Sequence, residues 1–326
     1  MKSHLLRLLA LPLVSLVMLG AAPRAEAQAY PSKPIRMFVG YSAGGAVDII
    51  ARVLGQQIST SVGQPVIVEN KPGAGTNIAM RALIESPPDG YTLMLAANAL
   101  AANPALYAPP PFDPARDVTP ISLVGRVPVV IAVNAQSEIN SLAKLIATAK
   151  AKPDSVTFGS PGNGSTPHLA MELFERVAGI SLTHVPYKGG AQAITDTLSG
   201  QLQAVATNAL EVLPQAKAGK LRVLAVMSPG RSPLFPDAPT VAESGYPGFE
   251  AAVWYGVIGP AGMPAPVADR LYEEVQKALR TPEVRDRLAS AGGEVMPVTR
   301  EQFAKMINAE RARYEKLIRE AGIKPD

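Results

Sequence analysis

Twice in this chain an apolar, strand-like run ends in a glycine-rich turn and passes directly into a helical pattern. The first is Gly40-Tyr41-Ser42-Ala43-Gly44-Gly45-Ala46-Val47-Asp48, and the second, much further along, is Gly159-Ser160-Pro161-Gly162-Asn163-Gly164-Ser165-Thr166-Pro167-His168. Small residues let a backbone approach a bound group closely. The first turn of a helix carries unpaired N–H groups and a partial positive charge, so either turn can grip an anion without Arg or Lys. Asp48 is placed to cap the first helix, and Ser165 or Thr166 to cap the second, with Pro167 suited to the first helical position.

Around these turns, short apolar runs rich in β-branched residues alternate with amphipathic patterns, the mark of an α/β protein with mainly parallel sheets. Strands are expected at 35–40, 66–69 and 91–96, with helices at 48–61 and 78–84 between them. The run ISLVGRVPVVIAVN, broken by Gly125 and Pro128, reads as a crossing from one lobe to another. A second series follows, with strands at 156–159, 182–187, 202–207 and 221–227 and helices at 141–151, 167–178 and 191–198. The Pro/Gly-rich stretch from Ser228 onward reads as a return crossing. It ends in a strand at 254–259, and amphipathic helices at 266–280 and 300–321 close the chain. The organisation expected is residues 30–126 with 230–326 as one lobe and 127–229 as the other, with a ligand cleft between them.

The first 29 residues have Lys2 and Arg7, an apolar stretch from Leu5 to Gly20 interrupted by Pro12, and two Ala-x-Ala patterns ending at Ala27 and Ala29. That combination predicts a secretory signal peptide with cleavage before Gln28 or Tyr30. An exported chain with no Cys can form neither a disulfide nor a lipid-anchored thioether, and it has no thiolate metal site, so a large core must hold the fold. With 47 % hydrophobic and 18 % charged residues, the composition is that of a globular protein. No later run reaches spanning length, so the processed chain is expected to be soluble once released rather than membrane-embedded. The pI of 9.2 rests largely on the segment to be removed: what remains has 28 basic against 26 acidic side chains, no footprint for nucleic acid.

Neither glycine-rich turn ends in the Lys-Ser/Thr of a P-loop, and no G-x-G-x-x-G is followed by an acidic residue about 20 positions on. With two His and no Cys in the processed chain, neither a metal nor a cofactor is expected. A secreted hydrolase would need Ser165 or Ser42 as nucleophile and His168 or His184 as base, but neither serine sits in a G-x-S-x-G elbow. Two aromatic positions are candidates for a pocket wall: Tyr187, which ends the run HVPY, and Trp254-Tyr255, just after the return crossing.

In order along the chain, YPSKPIRMFVGYSAGGAVDIIAR, GQPVIVENKPGAG, PPDGYTLML, NPALY, FGSPGNGSTPHLAMELF, HVPYKGGAQAITDTLSGQ, AGKLRVLAV and WYGVIGPAGMP resemble the landmarks of the periplasmic substrate-binding proteins of tripartite tricarboxylate transporters, the Bug or TctC family. The resemblance covers essentially the whole processed chain. It implies a two-lobed, type II periplasmic-binding-protein fold of the Venus-flytrap kind and a non-enzymatic receptor for a small carboxylate: a di- or tricarboxylate, an amino acid or an aromatic acid. It also implies a monomer working with membrane transporter subunits, with the turns at 41–48 and 160–166 holding the ligand carboxylate through backbone N–H groups and bridging waters. The first turn departs from the family's Phe-Pro-Pro-Gly-Gly. Asn98 and Asn208, in stretches where this chain departs from the family's usual residues, are the candidates for reading the far end of the ligand. A sensory module for a membrane receptor kinase would use the same fold.

Overall fold

The computed structural model describes residues 30–290 and 292–325. The expected signal peptide, residues 1–29, lies outside the described residues. The main body begins at Lys33 and runs β1 (Ile35–Val39), α1 (Ala46–Val62), β2 (Val66–Asn70), α2 (Asn77–Ile84), β3 (Thr92–Ala96), α3 (Ala99–Leu106), α4 (Pro114–Asp117) and the long β4 (Val118–Asn134). It continues α5 (Leu142–Ala151), β5 (Thr157–Ser160), α6 (Thr166–Ala178), β6 (Thr183–Pro186), α7 (Gly190–Leu198), β7 (Ala204–Asn208), α8 (Ala209–Lys217) and β8 (Leu221–Val226). It closes with β9 (Ala252–Pro260), α9 (Ala265–Leu279), α10 (Pro282–Ala289), β10 (Glu294–Val295) and α11 (Arg300–Ala321).

In each half the local rules hold. On α1, Ile50, Leu54 and Ile58 recur at helical spacing and are buried, and the helix stops at Gly63, whose φ of 69° is the left-handed value that glycine adopts without a Cβ clash. On α11, Thr299 and Gln302 form a reciprocal capping box. Strands β1, β2 and β3 are parallel, as are β5, β6 and β7. The ends of β1 and β5 open into the two glycine-rich turns.

The sheets are less uniformly parallel than the alternating pattern suggests, because the crossing strands run against the others. β4 is one continuous strand despite Gly125 and Pro128. From Val118 to Pro128 it pairs antiparallel with β9; from Val129 to Asn134 it pairs antiparallel with β7 and β8. The change of partner falls between Pro128 and Val129. Gly125 is needed where it is, since a Cβ there would strike the Glu294 carbonyl of β10. The return passes the same junction: Met227 N donates to Val129 O at 2.8 Å, and Ala251 N donates to Met227 O at 2.8 Å. A chain that leaves one sheet and comes back through the same place must run both ways there, which makes the junction antiparallel.

Five elements escape the sequence pattern: α3, α4, α8, α10 and β10. Pro104 inside α3 and Pro214 inside α8 read as helix breakers. Both helices are short, and a single lost N–H is outweighed by packing, with most of each helix's apolar side chains buried. Among the described residues, no helix is long and apolar enough to cross a membrane.

Candidate functional site

The first glycine-rich turn does not hold its N–H groups open. Ser42 N donates to Lys188 O at 2.8 Å, Gly44 N to the Asp48 carboxylate at 3.0 Å, and Ala46 N to Oε1 of Glu211 at 2.6 Å. Helix α1 is capped by Gly45, not by Asp48. Asp48 is buried and spends its oxygens on Gly44, on Asn70 Nδ2 at 2.9 Å and on Arg52 at 2.8 Å, so it ties the turn to β2 and its helix and does not line the cavity beside it. Ala43 and Gly44 are exposed at the tip.

The second turn is likewise bonded internally. Gly162 N donates to Ser160 Oγ at 3.1 Å, Ser165 N to Gly162 O at 3.1 Å, and Gly164 N to Nδ1 of His168 at 3.2 Å. Ser165 caps α6 through His168 N. Gly164, with φ of 72°, lies against Asn103 and Leu106, where a Cβ would have no room. A reading of the sequence alone treats such N–H groups as available; in the folded chain several of them are already bonded within the protein.

What the two turns do build, together with the starts of α7 and α8, is a small cavity. It has a volume of about 20 Å³, room for roughly one water. Tyr41, Ser165, Thr166 and Asn208, four of the sequence candidates, line it with Gly189 and Gly190 from the start of α7. Two further polar side chains join them. Tyr255 of β9 has no exposed surface and its hydroxyl has no hydrogen-bond partner. Glu211 of α8 keeps part of its surface open to the cavity while its carboxyl is packed in protein. The Thr166 hydroxyl is also buried without a well-formed bond, with Tyr314 as its neighbour.

Glu211 is the residue that sequence reasoning missed. Its Oε1 accepts from Ala46 N, its Oε2 from the Thr207 hydroxyl, and Asn208 lies beside it. Gly190 packs so closely that a Cβ there would collide with the same carboxylate. Burial raises the Glu211 pKa, and its hydrogen bonds with Thr207, Ala46 and Asn208 only partly counter that. Burial, followed by the Glu211 charge, pushes the phenols of Tyr41 and Tyr255 well up. The sequence signal was slight: one acid in the apolar stretch ALEVLP, three residues past Asn208, which caps α8 by accepting from Glu211 N at 3.3 Å.

The other candidates fall elsewhere. Asn98, expected to read the far end of the ligand, does not line this cavity, and its amide is used at both ends within the core: Oδ1 accepts from Trp254 N at 3.0 Å, and Nδ2 donates to the Tyr314 hydroxyl at 3.0 Å. Tyr187 lines a neighbouring cavity of about 260 Å³ that Tyr41 also borders. Its hydroxyl donates to Asp196 and its pKa is pushed up to about 12 by burial and that carboxylate. Ser160 Oγ lies 2.7 Å from Nε2 of His184, a serine–histidine pair, but Ser160 is wholly buried and already accepts from Gly162 N. His168 stacks on His184 at 4.2 Å, and its Nδ1 receives Gly164 N, which turns that nitrogen away from a role as base for Ser165. Trp254 packs edge-on against Phe303 in the core.

Residues 50–323 match the family model described as the tripartite tricarboxylate transporter family receptor, TctC. The chain belongs to the TctC family. It is 37 % identical over 323 residues to BugT of Bordetella pertussis, covering 98 % of this chain and 99 % of that one. Among solved structures, the periplasmic binding protein BugD superposes with a TM-score of 0.87 at 32 % identity, over 91 % of this chain and all of that one. R. palustris Rpa4515, solved with adipate, superposes with a TM-score of 0.86 at 33 % identity, again over 91 % of this chain and all of the other. TctC members such as these are periplasmic binding proteins, and the fold here is their two-lobed α/β fold.

Proposed function

We propose that this protein is an exported receptor that closes two lobes around a small carboxylate and delivers it to a tripartite membrane transporter. One observation carries the reading. The cavity lies where the starts of α1, α6 and α7 meet, and Tyr255, which lines it, has a buried hydroxyl with no partner among the described residues. Three helix N-termini supply positive potential without a side-chain cation, and an orphan hydroxyl supplies a donor. The relatives solved with adipate and with malate support a carboxylate as the ligand class.

In this reading residues 30–126 and 230–326 form one lobe and 127–229 the other, and the paired crossings at Val129 and Met227 form the hinge. Tyr41, Ser165, Thr166, Asn208, Glu211 and Tyr255 contact the ligand, while Ser42, Ala43, Gly44, Gly45, Ser160 and Gly164 shape the turns. A cavity of about 20 Å³ is too small for a dicarboxylate, so entry requires the lobes to part. The contacts Ser42–Lys188 and Ala46–Glu211 then break, and ligand contacts replace part of them on closure. Cleavage at residue 27 or 29 would release the chain into the periplasm.

The test is a thermal-shift screen of protein that has been denatured and refolded to strip carried-over ligand, followed by calorimetry on hits. A panel of carboxylates, amino acids, aromatic acids and sugars is used. A large shift with an acid and none with its neutral amide supports the receptor reading. A sugar hit with a flat acid panel sinks it.

A further inference from the structure

The charges in the cleft narrow the ligand beyond a simple acid, provided that the carboxylate-receptor reading is right. Among the described residues, Glu211 is the one carboxylate lining the cavity, and no Lys, Arg or His lines it. It is also fixed in place. Oε1 takes the Ala46 N–H at the start of α1, Oε2 takes the Thr207 hydroxyl, and Gly190 leaves room for it by lacking a side chain. The anion position at the start of α1 is thus filled by the protein's own carboxylate.

A ligand carboxylate entering this cavity meets the start of α6 and the lining residues Ser165, Thr166 and Tyr255. A second carboxylate would lie beside Glu211 with no side-chain cation between them, and like charges at close range in a buried site repel strongly. A cationic nitrogen in that place would pair with Glu211 and leave the ligand carboxylate to the start of α6 and the neighbouring polar groups. We propose that the ligand carries both a carboxylate and a cationic nitrogen, as an amino acid or aminated acid does, and that Glu211 selects for the nitrogen. Burial raises the Glu211 pKa, and a cationic nitrogen beside it would favour the charged carboxylate.

Calorimetry on refolded protein near neutral pH tests this with pairs that differ by an amino group: aspartate and succinate, glutamate and glutarate, β-alanine and propionate, anthranilate and benzoate. In the pair that fits the cleft, the aminated member is expected to bind at least about tenfold tighter. Glu211→Gln is expected to weaken the aminated member by at least about tenfold while leaving or improving the other. Equal or tighter binding of the plain acid in every pair that binds overturns the inference and leaves the receptor reading standing. An unchanged ratio in Glu211→Gln that retains its circular-dichroism spectrum also overturns it. If no acid in any pair binds, the inference fails, and the wider carboxylate panel decides the reading beneath it. The wild-type ratio decides the matter even if the variant does not fold.

Discussion

Asn98 Nδ2 donates to the Tyr314 hydroxyl at 3.0 Å, joining the start of α3 to the C-terminal helix across a buried contact. The same side chain accepts from Trp254 N in β9. Its polarity therefore serves three elements of one core. Replacing it by Leu keeps much of the volume but leaves an N–H and a hydroxyl unpaired, at a cost of roughly 1–3 kcal/mol for each buried group. The expected result is a clearly lowered urea midpoint with ligand affinity unchanged within about twofold, below the tenfold step of 1.4 kcal/mol. Normal stability with lost affinity would instead make Asn98 a ligand contact.

Gly190 is the position where a single methyl group should separate folding from binding. A Cβ there would collide with Glu211 Oε2 and Thr207 Oγ1, both of them movable side-chain ends, so the chain can fold by pushing them aside. Displaced Glu211 no longer reaches Ala46 N. Gly190→Ala is expected to keep its far-UV spectrum and lose affinity by at least about tenfold. Circular dichroism and calorimetry on one sample check both halves of the statement.

The two glycine-rich turns were legible because their signals are local: small residues, a capping serine and a proline at the first helical turn sit within a few positions of each other. The helices and strands that flank them were legible for the same reason. Glu211 was not, because its position depends on β7 pairing with β4 and on a helix that Pro214 disguised. Nor could the sequence show that Ser42 N would be taken up by Lys188 O, a contact between residues far apart in the chain. Local pattern located the cleft walls, and non-local packing decided which of their groups remain available.

His184 stacks between Phe158 and His168, and burial, with His168 adding a smaller effect, lowers its pKa from 6.5 to about 3. The folded state thus favours neutral His184, whereas the unfolded chain takes up a proton below pH 6.5. By linkage this group's contribution to stability is full above pH 6.5 and is lost progressively as pH falls toward 3. Thermal melts from neutral to acid pH are expected to fall less steeply for His184→Asn than for the wild type. Parallel pH profiles would show that the imidazole is not the group responsible.

Glu175 works in the opposite direction. Its Oε2 accepts from Leu182 N at 2.7 Å while Oε1 is buried without a partner. Burial, helped by the nearby acids Glu172 and Asp154, raises its pKa from 4.5 to about 8. The folded state holds a proton that the unfolded chain gives up above pH 4.5, so the stability this acid contributes is full below 4.5 and is lost as pH rises through 8. Glu175→Gln keeps an acceptor for Leu182 N and carries no charge at any pH. The variant is therefore expected to match the wild type in acid and to melt at an increasingly higher temperature than it as pH rises from 4.5 toward 8. A difference in melting temperature that does not change with pH would place the effect in packing rather than in the proton.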